Sequence, residues 1–383
     1  MLAVRWMGPR KVSVDQVPDP KIEAPTDAVI KVTATGICGS DLHLYDHGAT
    51  LAMKPGDIVG HEAMGVVEEV GSEVSHIAPG DTVVVPFNIS CGHCFMCSRG
   101  LYSQCEETQN LRGRKGASLF GYTHLYGGVA GGQAQYLRVP MAHFGPIRVD
   151  ESIPELAAVL LTDVLPTSWQ AVRYADVEPG STVVVYGLGP IGQMSSRIAL
   201  HHGAGRVIGV DIVAERLQMA ARHGVEPLDA TQFDSAGDVV AAVQQLTKGR
   251  GADSVIDAVG MDAAGSVPDR VLQTLKMQPD RLIGLRQALG SCRRGGTVSV
   301  VGVYSMWFPN FPLGDLFDKQ ITLRWGQANV RQWTADIIEV LRNGDPWDAA
   351  GLVTNQAPLE SAPQMYEAFK RKEAGVVKVV LRP

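Results

Sequence analysis

Four of the six cysteines in this 383-residue chain fall in one short loop, "CGHCFMCSRGLYSQC", at Cys91, Cys94, Cys97 and Cys105. Thiolates spaced by two residues can converge on one ion without straining the backbone, and four of them make a closed tetrahedral zinc site. Such a site leaves no position for substrate. Its expected work is structural, pinning a lobe over residues 88–110 that lacks a core of its own. Free loop thiols are the plain alternative, and an iron–sulfur cluster is a chemical competitor that spacing leaves open. A redox pair lacks the βαβ surroundings it needs.

A second chemistry-bearing stretch is "VVVYGLGPIG", with Gly187, Gly189 and Gly192 as G-x-G-x-x-G. It follows an apolar strand, opens a helix, and is followed by Asp211 at the end of the next strand. The first glycine makes a tight turn, the second lets backbone approach a pyrophosphate, and the third allows close helix packing. The free N–H groups of the helix start then hold phosphate. Asp211 would accept from ribose hydroxyls and repel a 2′-phosphate, which favours NAD over NADP. The bland reading is a glycine-rich turn in a domain without cofactor. Cys38 in "GICGSDLH" and His61 in "GHEAMGVV" are of zinc-ligand type, although either alone is more often a buried structural residue.

The elements that must position these groups have two textures. The first 160 or so residues hold short β-like runs cut by Gly and Pro, such as "AVIKVTATG", "GVVEEVG" and "DTVVVPF", which is how a small all-β body reads. From about Val164 strands alternate with helices: "STVVVYG", "PIGQMSSRIALHHG", "RVIGVD", "AERLQMAARHG", "SVIDAVG" and "TVSVVGVY". That rhythm implies parallel βαβ units. Residues 261–290 read as an irregular insert decorating this second domain. Near the end, "RQWTADIIEVLRNG" and "APQMYEAFKRKEAG" are amphipathic helices, and "VVKVVLRP" is a strand expected to return to the first domain.

Bulk properties narrow the function classes. Hydrophobic residues make up 45% and charged residues 19%, an ordinary globular balance. A net charge of −6 disfavours a general nucleic-acid binder. The densest basic cluster, "RGRK" at Arg112–Lys115, is short and reads as a solvated loop. No run approaches the roughly 18 apolar residues of a membrane span, and "MLAVRWMGPRKVSV" alternates like a strand rather than a signal peptide. A cytoplasmic protein with reduced thiols is expected.

Taken together and in this order, the four-cysteine loop, the glycine fingerprint, Cys38 and His61 resemble the zinc-dependent alcohol dehydrogenases of the medium-chain dehydrogenase/reductase superfamily. The resemblance covers essentially the whole chain. It implies a GroES-like β-rich catalytic domain, residues 1–164 and 329–383, and a Rossmann doubly wound parallel-sheet domain, residues 165–328. It further implies NAD and two zinc ions per chain. Cys38, His61 and Asp163 match the ligands of the catalytic zinc, Asp163 standing where the best-known members carry cysteine. Glu62 matches an acidic residue beside the metal, and either it or water fills the fourth position. Ser40 matches the hydroxyl that bonds the substrate oxygen, His43 the histidine passing its proton to solvent, and Asp41 a residue orienting a ligand. Thr167 matches a threonine near the nicotinamide. Pro190, Ile191, Arg216, Val259, Gly302, Val303 and Lys378 fall at cofactor-contact positions, Lys378 matching a basic residue that reaches the pyrophosphate.

"TDVLPT" and "GGQAQY" look like the glutathione-independent formaldehyde dehydrogenase branch. The implied reaction moves hydride between an alcohol, or a hydrated aldehyde, and nicotinamide. An alcohol holds its proton to a pKa of roughly 15–16, and coordination to zinc lowers such a value towards about 7. A polyol or threonine-type dehydrogenase is the alternative on the same scaffold, and a non-catalytic nucleotide-binding member a remote one. Leu44, Tyr45, Phe120 and Trp169 are candidates for pocket walls or for core. The expected partners are a small alcohol or aldehyde and further copies of the chain, with a tetramer preferred over a dimer. No nucleic acid and no membrane are expected.

Overall fold

A computed structural model of the chain describes residues 1–48, 52–109, 115–260, 282–304, 311–373 and 375–383. Most of the "RGRK" cluster and residues 261–281 of the expected insert lie outside that set. The chain divides into two compact units, residues 1–166 with 328–383, and residues 167–327.

The first unit opens with a hairpin of β1 (Leu2–Gly8) and β2 (Lys11–Gln16). The long strand β3 (Ala28–Ile37) pairs antiparallel with β4 (Glu62–Val70), and β4 with β5 (Thr82–Val85). Two short strands, β6 (Tyr136–Val139) and β7 (Ile147–Arg148), pair with β3 and β5. Inward residues such as Ile30, Val32, Val67, Val83 and Leu137 form one core of this unit.

Among its described residues the second unit carries six parallel strands: β8 (Thr182–Tyr186), β9 (Arg206–Asp211), β10 (Glu226–Asp229), β11 (Ala252–Asp257), β12 (Cys292–Val300) and β13 (Thr322–Trp325). Their spatial order is β10-β9-β8-β11-β12-β13. This is the doubly wound arrangement, whose order reverses between β8 and β11 and whose ligand crevice lies at the strand ends there. The unbroken apolar run Val183–Val185 is fully buried, as a strand covered on both faces must be. The last strands, β14 (Asn355–Pro358) and β15 (Val379–Arg382), belong to the first unit, where β15 pairs antiparallel with β3.

The structure corrects one expectation here. Residues at the end of the supposed insert form a regular helix, Ile283–Ser291, and not a decoration. Its Leu285, Ala288 and Leu289 pack with Val184, Val255 and Val298 in the core of the second unit. Two glycines within it, Gly284 and Gly290, and a sparse apolar pattern hid it. Cys292, which begins β12, is buried in the same core.

Candidate active site

Three adjacent strands deliver the groups of the first site. Cys38 follows the end of β3 and caps the helix Gly39–His47, its backbone N–H donating to Asp41 Oδ2 at 3.0 Å. Glu62 begins β4 opposite Gly36 of β3. Lys378 immediately precedes β15, whose Val379 lies opposite Ile37. Asp163 comes from the turn between a short 3-10 segment, Val159–Thr162, and the helix that starts at Val164. One ligand-type atom from each of Cys38, His61, Glu62 and Asp163 lies within 4.8 Å of all the others. Cys38 Sγ and His61 Nε2 are each 3.4 Å from Asp163 Oδ2.

The donor set tests whether a cation fits. Burial, with the Asp163 and Glu62 carboxylates beside it, pushes the Cys38 thiol up to about 11. Burial likewise raises the Glu62 carboxyl, against the pull of Lys378. Burial lowers His61, yet Asp41 and Asp163 beside it hold it well above its ordinary value. Three acidic donors crowded out of water are costly by themselves, and a divalent cation among them reverses that preference. The set of one sulfur, one imidazole and carboxylate oxygen fits zinc.

Around the cluster, His61 Nδ1 is 3.2 Å from Asp41 Oδ1, which leaves Nε2 facing Asp163. Asp41 Oδ2 also accepts from Gln133 Nε2 at 3.1 Å, and Gln133 Oε1 accepts from the Tyr366 hydroxyl at 2.8 Å. Ser40 Oγ stands 3.4 Å from His61 Nε2. His43 is buried on the same helix, three residues on, where side chains share a face.

Lys378 departs from expectation. It is fully buried, and its ammonium bonds both carboxylate oxygens of Glu62 and, at 3.2 Å, the Ile37 carbonyl. A pyrophosphate contact needs an ammonium open to ligand; this one is committed to Glu62. Gln133, Tyr366 and this role of Lys378 were missed from the sequence, because strand order alone brings them together. The wall candidates Leu44, Tyr45 and Phe120 are core residues. Beside His61 stand Phe87 and Tyr122 instead, edge-on at 6.0 and 6.4 Å between ring centroids.

The four-cysteine loop forms the second cluster, with the Sγ atoms of Cys91, Cys94, Cys97 and Cys105 all within 4.8 Å of one another. Cys91 and Cys97 are 3.9 Å apart at sulfur, and Cys94 and Cys105 4.0 Å. Sulfurs at about 2.3 Å from one tetrahedral zinc stand about 3.8 Å apart, whereas a disulfide bond measures about 2.05 Å. The spacing fits one ion. Backbone N–H groups point at the sulfurs, from Cys94 to Cys91 at 3.3 Å and from Glu106 to Cys94 at 3.4 Å. Partial burial raises the Cys94 thiol, but the N–H groups of Cys97 and Glu106 outweigh it and hold it down to about 6.

In the second unit β8 runs into Gly187, which has φ +83°, and a Cβ on Gly192 would sit 1.8 Å from the Gly187 carbonyl oxygen. Only glycine allows both the turn and the close approach. Pro190 and Ile191 open the helix Pro190–His201, with Pro190 in the first turn, where its missing N–H costs nothing. Asp211 Oδ2 accepts from Leu188 N at 2.6 Å, its Oδ1 accepts from Ile212 N and Val213 N, and Arg216 Nη1 lies 3.9 Å away. Thr167 is half-buried, and the neighbouring Ser168 hydroxyl donates to the Ile191 carbonyl at 3.0 Å. Trp169 is buried against His202.

Comparison with known proteins bears on this arrangement. Residues 24–149 match the model of the alcohol dehydrogenase GroES-like domain, and residues 190–277 that of the zinc-binding dehydrogenase domain. The chain is 42% identical, over the full length of both, to an uncharacterised zinc-type alcohol dehydrogenase-like protein of Bacillus subtilis. The chain belongs to the zinc-type alcohol dehydrogenase family. A glutathione-independent formaldehyde dehydrogenase of Pseudomonas aeruginosa is 31% identical over 98% of this chain and 95% of its own. The alcohol dehydrogenase of Thermus sp. ATN1 superposes with a TM-score of 0.84 at 35% identity, covering 100% of this chain and 99% of that one. This zinc-type alcohol dehydrogenase-like oxidoreductase therefore has the GroES-like and Rossmann-type domains that its sequence led us to expect.

Proposed function

We propose that this chain oxidises an alcohol, or a hydrated aldehyde, with NAD, using a catalytic zinc held by Cys38, His61 and Asp163. The carrying observation is the convergence of those three side chains and Glu62 within 4.8 Å. Zinc, when bound, acidifies a coordinated hydroxyl. The Asp41 carboxylate, 3.2 Å from His61 Nδ1, favours a proton on that nitrogen by its charge, which would leave Nε2 for the metal. Lys378 balances the charge of Glu62. Ser40 takes the substrate hydroxyl proton and passes its own towards His43 and solvent. An alcohol then gives aldehyde, NADH and a proton; a hydrated aldehyde gives carboxylic acid, NADH and a proton. The pairing of Asp211 with the turn after Gly187 supports NAD rather than NADP. The four-cysteine loop holds a second, structural zinc. Likeness to formaldehyde dehydrogenase at 31% identity supports small aldehyde hydrates as substrates, and the zinc-type relative at 42% supports alcohols.

A homo-oligomer, a tetramer in preference to a dimer, is part of the same reading. Its support is the edge strand β13 with Trp325, Phe317 and Leu313 exposed beside it. A cytoplasmic setting is part of the same reading, since clustered thiols stay reduced and able to bind metal there. No helix among the described residues is long and apolar enough to cross a membrane.

The test is metal analysis of the purified protein with a screen of NAD and NADP reduction over alcohols, polyols, formaldehyde and S-hydroxymethyl thiols. Two zinc ions per chain and NADH formation with an alcohol or formaldehyde are expected. A single zinc, or turnover with NADP alone, would overturn the corresponding part.

A further inference from the structure

Three strand ends meet backbone to backbone in the second unit. The Ala258 N–H, just past β11, donates to the Tyr186 carbonyl of β8 at 2.9 Å. The N–H groups of Val301 and Gly302, just past β12, both donate to the Asp257 carbonyl, at 3.0 and 2.9 Å. A Cβ on Gly302 would lie 2.4 Å from Gly260 N, and one on Gly187 would lie 3.0 Å from both the Ala258 carbonyl oxygen and Val259 Cγ2. The turn after β11 therefore touches the glycine turn on one side and the turn after β12 on the other.

The side chain of Asp257 fastens this junction. It is fully buried at the end of β11. Its Oδ1 accepts from Val259 N at 3.0 Å, and its Oδ2 accepts from the Tyr304 hydroxyl at 2.7 Å. These bonds reach forward into both turns and not back into the sheet. Burial pushes the carboxyl up, while the Tyr304 hydroxyl and the N–H groups of Val259 and Gly260 oppose that rise. A carboxyl taken out of water needs such partners to be tolerated at all. Tying down two loops is what distinguishes it from an apolar residue that would fill the same space. Those loops present Val259, half-buried, and Val303, 44% exposed, at the strand-end crevice.

We propose that the Asp257–Tyr304 hydrogen bond is a positioning device for the dinucleotide: it sets the turns after β11 and β12 before the cofactor arrives, so that its nicotinamide half meets preformed walls. The inference rests on the dinucleotide reading above. Neither residue need touch the cofactor. Preforming a loop strengthens binding by removing the cost of ordering it.

The experiment compares the wild-type holoenzyme with Tyr304→Phe, which removes one hydroxyl, and Asp257→Asn, which keeps the size of the side chain. Dissociation constants for NADH and for AMP are measured by fluorescence titration and calorimetry, beside KM values and Tm. Loss of one hydrogen bond should weaken NADH about three- to tenfold. KM for NAD should rise in step, while AMP binding and KM for the alcohol at saturating NAD stay put. AMP is the control because it probes the β8–β9 side, where Asp211 sits. Unchanged NADH affinity in both variants would overturn the proposal, and so would equal weakening of NADH and AMP, which marks a loosened sheet. If the wild-type protein binds no NADH, the functional reading fails instead.

Discussion

Lys378 and Glu62 are both fully buried, and each is the other's compensation. Removing one charge of such a pair strands its partner in a poorly solvated place, at a typical cost of about 3–5 kcal/mol. Lys378→Met should therefore lower the unfolding free energy by about that amount in urea titrations, and adding Glu62→Leu should recover part of it. Gln133 presents a second test. It bridges Asp41 and Tyr366, and Asp41 in turn orients His61. Gln133→Leu should weaken zinc binding at this cluster by about 10–100-fold, read by competition with a chromophoric chelator, while the four-cysteine site keeps its ion. Cys38 and His61 stood out in the sequence by residue type, and their reading as ligands, with Glu62 and Asp163 beside them, came through the family resemblance. Gln133, and the pairing of Lys378 with Glu62, could not be picked out in either way. Amide and ammonium groups are common, and only the register of β15 against β3, and of β3 against β4, brings Lys378 to Glu62.

Asp253, on β11, shows how a single carboxylate can join elements. Its Oδ2 accepts from Thr182 N, at the start of β8, at 2.8 Å, and its Oδ1 from Arg293 Nε of β12 at 2.6 Å. Partial burial raises this carboxyl, but those two partners outweigh it and hold it below the ordinary range. A depressed folded-state value means the stabilisation is present above the unfolded value, about pH 4, and fades as pH falls further. Asp253→Asn should thus have a lower Tm than wild type near neutrality, with the gap closing as pH falls below about 4. A gap that persists unchanged at the acid end would show that the charge is not the agent. At this scale the alternation of strands and helices in the second unit was readable, since buried parallel strands are continuous apolar runs and their helices are periodic. The helix Ile283–Ser291 was not, because "IGLRQALGS" contains two glycines and begins without a capping side chain. Tertiary packing of Leu285 and Leu289, not local propensity, makes it helical.

For the whole molecule, the two domain classes followed from texture and motif, but nothing in residue spacing reports how many copies assemble. The surface offers a physical lead. Among the described residues β13 pairs only with β12, so its other edge presents unpaired backbone groups. Proteins normally cover, shorten or charge such an edge. Here Trp325 on the strand is 55% exposed, and Phe317 and Leu313 on the preceding helix are 83% and 69% exposed. Exposed large apolar groups beside an open edge favour pairing with a second copy, in which the same patch meets itself across a two-fold axis. Under that symmetry one substitution acts twice. Phe317→Glu with Trp325→Glu introduces like charges on both copies and removes apolar area from both, against a net chain charge of only −6. Light scattering of the wild-type protein should give twice the 41.0 kDa chain mass from this edge alone, or four times it where a second interface joins two such pairs, and the double variant should fall to smaller species with its far-ultraviolet dichroism retained. A wild-type monomer at micromolar concentration, or a double variant of undiminished mass, would remove this edge from the assembly.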